Sequence, residues 1–290
     1  MTIERGVLLM LVAIGIFACQ DLLSRYLAEG ANVLTVVTIR YWAFAVFVLI
    51  VAARAPGGLA RAFVTRQPLL QIGRGVLLAL EVCVVVESFT RIGIVETQAL
   101  FASTPLIVVA LAGPVLGERI GLRRWLAVLA GMVGVLLILR PGASMFRLDA
   151  WLVLLGALMF AAYGLMTRLA ARRDPPSTSF LYTGIAGAAT MSLIGPFQWH
   201  PLESHLWAPM AVLCAMAALG HLLYIRAMTL TEASRLQPLS YLQIVIASAL
   251  AVAVYHEALP VTTVAGGAIV VAAGLAAMLE GRRRRPGTTA

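Results

Sequence analysis

Apolar residues in this chain run in long blocks broken by short polar or Gly/Pro stretches. The pattern predicts helices over 7–25, 33–53, 69–91, 95–116, 121–139, 150–170, 178–195, 207–229, 233–255 and 260–280. Blocks of this length cross about 30 Å of hydrocarbon when helical. The interruptions are chemically apt: Gly30 and Asn32, Pro56-Gly57-Gly58, Glu118-Arg119, Pro141-Gly142, Asp174-Pro175-Pro176, and Pro196 to Pro201. Each places a residue poor at continuing a helix between two blocks that favour one. The shortest, around Ile92 to Glu96, relies on Gly93 for a tight reversal. None is long enough to form a second domain.

Composition makes lipid the solvent for much of this surface. Of 290 residues, 61% are hydrophobic and 12% charged, against roughly a quarter charged in an ordinary soluble domain. The formal net charge of +9 comes from arginine, since the chain has no lysine. A basic balance can serve nucleic acid, but these arginines sit mainly at the ends of apolar blocks, which is how membrane proteins mark their cytoplasmic side. With the N-terminus inside, Arg5, Arg54, Arg61, Arg66, Arg119, Arg123, Arg124, Arg168, Arg172, Arg173, Arg226, Arg235 and the run Arg282 to Arg285 fall on one side. Only Arg25, Arg91, Arg140 and Arg147 fall on the other. That asymmetry fits an even number of spans with both termini cytoplasmic in a bacterial inner membrane. Val7 to Leu23 follows an arginine like a signal peptide but lacks a polar, small-residue cleavage region, and reads as the first helix. Cys19, Cys83 and Cys214 lie inside apolar blocks without ligand spacing, so packing, and neither disulfide nor metal, is expected of them.

An internal repeat organises the blocks. Phe17 to Arg25 lines up without a gap on Phe160 to Arg168, with Phe, Ala, Leu and Arg identical and Ser24 facing Thr167. Five predicted helices separate the copies; because five is odd, the second copy enters the membrane from the opposite side and the repeat is inverted. Glu118 and Glu257 echo each other at nearly the same offset. The expected fold is therefore an all-α membrane protein of ten transmembrane helices in two inverted five-helix repeats. These span 1–142 and 143–281, with a basic cytoplasmic tail at 282–290.

With these features the chain resembles the drug/metabolite transporter superfamily, in its ten-span form with two EamA domains. The resemblance runs from about Val7 to Leu279. It is carried by Phe17 to Arg25, Arg40, Ser103-Thr104-Pro105-Leu106, Leu116-Gly117-Glu118-Arg119, Trp125, Gly131, Gly134, Leu139-Arg140-Pro141, and Tyr241 to Glu257. Where a Leu-Gly-Glu ending is usual in the second half, this chain has Tyr255-His256-Glu257. The resemblance implies a central cavity between predicted helices 1, 3, 4, 6, 8 and 9, with 5 and 10 farther away. It also implies a small-molecule cargo such as an amino acid, a metabolite or a drug, and bacterial aromatic amino acid exporters are similar.

Ionisable and polar side chains inside the hydrocarbon are the natural site candidates, because each needs a partner, water or cargo. Arg74, Glu81 and Ser88 recur at seven-residue intervals on one face, while Glu87 and Arg91 have the spacing of a helical ion pair. Glu81 is a candidate proton carrier or a fixed contact to Arg40 or His221. His221 and Tyr224 share a face with Ala217 and Met228, and Gln20 and Tyr163 occupy equivalent repeat positions. Gln98, Ser103, Thr104 and Pro105 in one helix, and Pro238, Tyr241, Gln243 and Ser248 in another, mix polar groups with a proline that frees a backbone carbonyl. The expected substrate site is thus Gln20, Tyr163, His221, Tyr224, Glu81, Ser103, Tyr241 and Gln243, with a charge network of Arg40, Glu81, Glu87 and Arg91. Gly131, Gly134, Gly266, Gly267 and Gly274 supply small faces for helix packing within or between subunits.

No cofactor, metal or nucleic acid is expected, and no enzyme. The histidines at 200, 205, 221 and 256 are scattered, His256-Glu257 lacks the second histidine of a zinc protease, and no Walker-type phosphate loop is present. The function expected is export of bulky apolar or aromatic amino acids by alternating access, with protons as a candidate coupling ion. The alternatives are a multidrug or organic-cation exporter and a passive metabolite facilitator. Single cysteines introduced at Gly142 and Gly281 in a cysteine-free background test the orientation: periplasmic labelling is expected at the first and cytoplasmic labelling at the second, and the reverse pattern overturns it.

Overall fold

The computed structural model describes residues 4–118, 121–139, 148–255 and 261–283. Arg119, Arg140, Pro141, Gly142, Arg147, His256, Glu257, Arg284 and Arg285, and with them the expected repeat boundary, lie outside the described residues. The described residues form helices joined by short turns and connections. The elements are α1 (Arg5–Gly30), α2 (Val33–Arg54), α3 (Gly58–Phe63), α4 (Pro68–Ile92), α5 (Ile94–Phe101), α6 (Thr104–Leu116), α7 (Leu122–Leu139), α8 (Leu148–Ala170), α9 (Pro176–Ile194), α10 (Trp207–Leu230), α11 (Ala233–Leu236), α12 (Tyr241–Tyr255) and α13 (Val261–Arg283). Among the described residues seven helical segments are long and apolar enough to cross a membrane, α1, α2, α4, α8 and α10 contributing to five of them. The chain is an all-α, multi-pass membrane protein.

Local chemistry sets the ends. Asn32 caps α2 by accepting from the Leu34 N–H at 2.8 Å, and α4 starts on Pro68, whose missing N–H is not needed there. Gly93, at φ 83°, turns α4 directly into α5. Two expected single helices are discontinuous. The interval 95–116 breaks between α5 and α6, because Pro105 has no N–H to offer the Phe101 carbonyl. The interval 233–255 splits into α11, a 3₁₀ turn over Gln237–Ser240 containing Pro238, and α12. The short α3 lies in what the sequence reads as a loop.

Packing inverts the usual arrangement of a soluble protein. Val46, Phe47, Leu126, Leu129 and Leu155 face outward, while Gln20, Arg40, Arg74, Glu81 and His221 are buried. α1 packs on α10, α4 on α8 and α9, α2 on α9, and α7 on α13. The last pair depends on small residues: a Cβ at Gly134 would lie 2.8 Å from the Gly266 carbonyl oxygen, so the glycine face serves packing inside this subunit.

Two polar clusters tie the helices together at the end where α1 begins. In the first, α6 ends on left-handed Gly117, and the Glu118 N–H returns to the Ala112 carbonyl at 3.2 Å. This turn throws the Glu118 carboxylate across to the start of α11, where it accepts from the N–H groups of Ala233 and Ser234 and from the Ser234 hydroxyl. Arg168 approaches it at 3.7 Å, and Arg124–Glu232 (2.8 Å) and Arg235–Glu4 (3.0 Å) complete the closure. In the second cluster, fully buried Arg74 donates to Gln71 (2.7 Å), Thr167 (3.2 Å) and the Ser179 carbonyl. Gln71 donates in turn to Asp174 at 2.9 Å.

Asp174, in the loop between α8 and α9, also accepts from the Thr65 hydroxyl (2.5 Å) and the Arg66 N–H (2.9 Å). Burial works against its charge, but these donors hold its carboxyl below the ordinary range. A depressed folded-state pKa means that the stabilisation is complete above about pH 4 and is lost as pH falls through the depressed value. Asp174→Asn is therefore expected to cost about 1 kcal/mol at neutral pH. In thermal unfolding of the detergent-solubilised protein, the gap to the parent should narrow on acidification; a gap independent of pH would contradict this account.

Candidate functional site

The clusters just described close one end of the bundle, and a cavity of about 590 Å³, its mouth included, occupies the half toward Gly30 and Ile92. α1 contributes Phe17, Gln20, Asp21 and Ser24; α4 contributes Glu81 and Phe89; α5 contributes Gln98 and Phe101. Arg40, Phe160, His221 and Gln243 arrive from α2, α8, α10 and α12. The wall is therefore assembled from helices on both sides of the chain's midpoint.

Its polar head is built around Asp21. One carboxylate oxygen, Oδ2, accepts from Gln98 Nε2 at 2.6 Å and from Gln243 Nε2 at 2.7 Å, so α1 is held to both discontinuous helices through one atom. Arg40 Nη2 lies 3.5 Å from His221 Nε2. A guanidinium only donates, which makes Nε2 the acceptor and leaves the imidazole proton on Nδ1. Phe17 (5.3 Å) and Phe44 (6.0 Å, stacked) fix that ring. Among the described residues no salt bridge within 4.0 Å joins Arg40 to Asp21 or Glu81, although all three line the cavity. Two carboxyl groups and a guanidinium thus share one space without a direct ion pair. Charges held this way in a membrane protein face water or cargo.

Gln20, Glu81, His221, Gln243 and Arg40 line this cavity. Tyr224, Tyr241 and again Gln243 line a second, adjoining cavity. Tyr163 lines neither of these two: its ring is stacked on Tyr224 at 5.8 Å, and the Arg74 guanidinium lies 5.7 Å from its centroid. Ser103 turns its hydroxyl to the Leu100 carbonyl at 2.8 Å. Glu87 and Arg91 pair at 2.7 Å on the exposed end of α4, where Arg91 also reaches Asp149. Asp21 is absent from the sequence-derived set, as are the four phenylalanines of the wall. A carboxylate inside the first apolar run is a signal equal to that of Glu81, but it stands in the repeat motif opposite Gly164 and reads there as pattern.

A lipid-embedded helical bundle around a cavity with charged head groups and aromatic walls defines a small-molecule transporter. The sequence profile of the EamA-like transporter family matches residues 4–140 and 148–279, and the chain belongs to that family: it is a transporter and not an enzyme. A "Riboflavin transporter" of Vibrio cholerae serotype O1 is 30% identical over 144 residues, spanning 49% of this chain and 48% of that protein. An "S-adenosylmethionine uptake transporter" of Rickettsia prowazekii is 23% identical, covering 94% of this chain and 92% of the relative. A "Riboflavin transporter" of Brucella anthropi is 22% identical, covering 93% and 97%. A solved crystal structure matches 99% of this chain and all of its own at a TM-score of 0.80 and 19% identity, which shows the shared fold.

The geometry separates wall residues from those behind the wall. Tyr163→Phe is expected to leave cargo affinity within about two-fold, whereas Gln20→Ala and Glu81→Gln should each weaken it by about ten-fold, equivalent to about 1.4 kcal/mol. Binding titrations of the purified variants check this, and a larger loss for Tyr163→Phe than for the other two would reverse the assignment.

Proposed function

We propose that this protein carries a small metabolite with a flat ring and a polar or charged head across the bacterial inner membrane. The observation that carries the reading is the pairing of Phe17, Phe89, Phe101 and Phe160 with Asp21, Glu81 and Arg40 around one cavity. Rings stack on such walls with about 0.5–1.5 kcal/mol per aromatic pair beyond area burial, and the ionisable groups discriminate among head groups. Riboflavin and S-adenosylmethionine, named for the relatives, both carry flat ring systems, and the second also carries amine, carboxylate and sulfonium charges. That chemistry supports a metabolite or organic-cation cargo over the narrower amino acid expectation. Arg40 opposite two carboxylates keeps aromatic amino acids as a second reading, since it offers a partner for each end of a zwitterion.

The mechanism we infer is alternating access between two inverted five-helix halves, 1–142 and 143–281, in a ten-span arrangement with both termini and the basic tail 282–290 cytoplasmic. The arginine asymmetry and the segment repeat support it. The Glu118 closure lies at the cytoplasmic end in that orientation, so the cavity faces outward, and the cargo gradient sets the direction of net movement. Glu81 remains the candidate for any proton coupling.

Counterflow in proteoliposomes tests the cargo, using riboflavin, S-adenosylmethionine, Phe, Trp, choline and a sugar, each with and without a proton gradient. Riboflavin or S-adenosylmethionine is expected to exchange at least about ten-fold faster than the sugar. Preferential exchange of Phe and Trp would restore the amino acid reading, and no exchange of any ring-bearing compound would overturn the proposal. Rates unchanged by the gradient would mark a passive facilitator.

A further inference from the structure

The second cavity has a character of its own. It encloses about 450 Å³, its mouth included, and lies farther toward the start of α1, where Met10 and Ile14 line it, whereas Gln20, Asp21 and Ser24 line the first. Among the described residues its lining holds no charged side chain: apolar Met10, Ile14, Ala102 and Ile244 alternate with Thr104, Ser240 and Tyr241. Tyr241 is 1% exposed, and its hydroxyl has no hydrogen-bond partner among the described residues. Its ring packs against Gly131 of α7.

Five residues line both cavities and so stand between them: Phe17, Phe101, Phe160, Gln98 and Gln243. Phe101 and Phe160 meet at a centroid separation of 5.6 Å. The two glutamines are fastened by the same atom, Asp21 Oδ2. The partition is thus three rings and two amides, drawn together by one carboxylate. On its far side the second cavity is followed by the ion-paired end built from Glu118, Arg124 and Arg235.

We propose that the second cavity is an inner binding station for the uncharged ring portion of the cargo, sealed from the charged outer cavity by the Gln98–Asp21–Gln243 crosslink. The outer cavity receives the cargo against its phenylalanines and, once the partition opens, keeps the charged or polar head beside Asp21, Glu81 and Arg40. The inner one takes a flat, neutral ring. Releasing the two glutamines from Asp21 frees α5 and α12, both of which abut a helix break, and joins the two stations into one path. The inference rests on reading the first cavity as the cargo route, but its test requires no transport.

Single cysteines at Val85, which lines the outer cavity only, and at Ile244, which lines the inner one only, are placed in a background with Cys19, Cys83 and Cys214 replaced by alanine. Modification by a trimethylammonium-ethyl methanethiosulfonate is followed in detergent. With the crosslink intact, Ile244→Cys is expected to react at least about ten-fold more slowly than Val85→Cys. Adding Gln98→Ala with Gln243→Ala, or Asp21→Ala alone, should bring the two rates within about three-fold. Indole, a flat uncharged ring with one N–H, should then protect Ile244→Cys and not Val85→Cys. Equal rates with the crosslink intact would remove the partition, and continued protection of Ile244→Cys in a monodisperse opened variant would remove the crosslink as its seal. Failure of indole to protect would remove the ring assignment. Because Asp21→Ala and the double glutamine variant open the seal from opposite sides, either one decides if the other does not fold. Absence of metabolite counterflow would count against the cargo reading alone and leave these rates to judge the two stations.

Discussion

Hydrocarbon offers no hydrogen bonds, and the rest of this structure follows from where the chain finds them instead. Helical backbone satisfies most N–H and C=O groups locally, so the difficulty concentrates on side chains and on the two helix breaks. The side chains gather inward. Arg74 finds Gln71, Thr167 and a carbonyl; Glu118 finds two N–H groups and a hydroxyl; Asp21 finds two amides. Each cluster spans helices distant in sequence. Polar satisfaction and tertiary architecture are the same problem here, because a donor on one helix is answered only by rotating another to meet it.

The clusters differ in how completely their charges are answered, and that difference separates scaffold from site. At the α1 start, ion pairs close at 2.8 to 3.7 Å and carboxylate oxygens accept from backbone. In the cavity, Glu81 and Arg40 remain apart, and Asp21 is met only by neutral amides. A fully paired network rigidifies, whereas ionisable groups without a direct ion pair are left facing the cavity. The aromatic walls contribute apolar area without adding charge.

The helix breaks link the two regions. Pro105 and Pro238 each remove a backbone donor, and the resulting turns place Gln98 just before one break and Gln243 just after the other. Unbroken helices over the same intervals would fix the amides on rods whose rotation is set along their whole length. Short segments can be aimed separately, and both amides reach one oxygen of Asp21.

Much of the fold was legible because its signals are local. Apolar block length indicated membrane helices, Gly93 marked a tight turn, and the four-residue spacing of Glu87 and Arg91 predicted a contact that depends only on helical pitch. The prolines at 105 and 238 warned of distortion, although they did not reveal that each helix would separate into two. The site was less legible. Sequence reasoning named Gln20, Glu81, His221 and Gln243, all on the cavity wall, but it grouped them with Tyr163, which packs between Arg74 and Tyr224, and passed over Asp21. Which side chains are polar, and on which helix face, is determined by composition and the pitch of the helix. Which face looks into a cavity depends on how helices far apart in the chain rotate against one another, as when Gln243 meets Asp21 across 222 positions, and that was decided only by the tertiary structure.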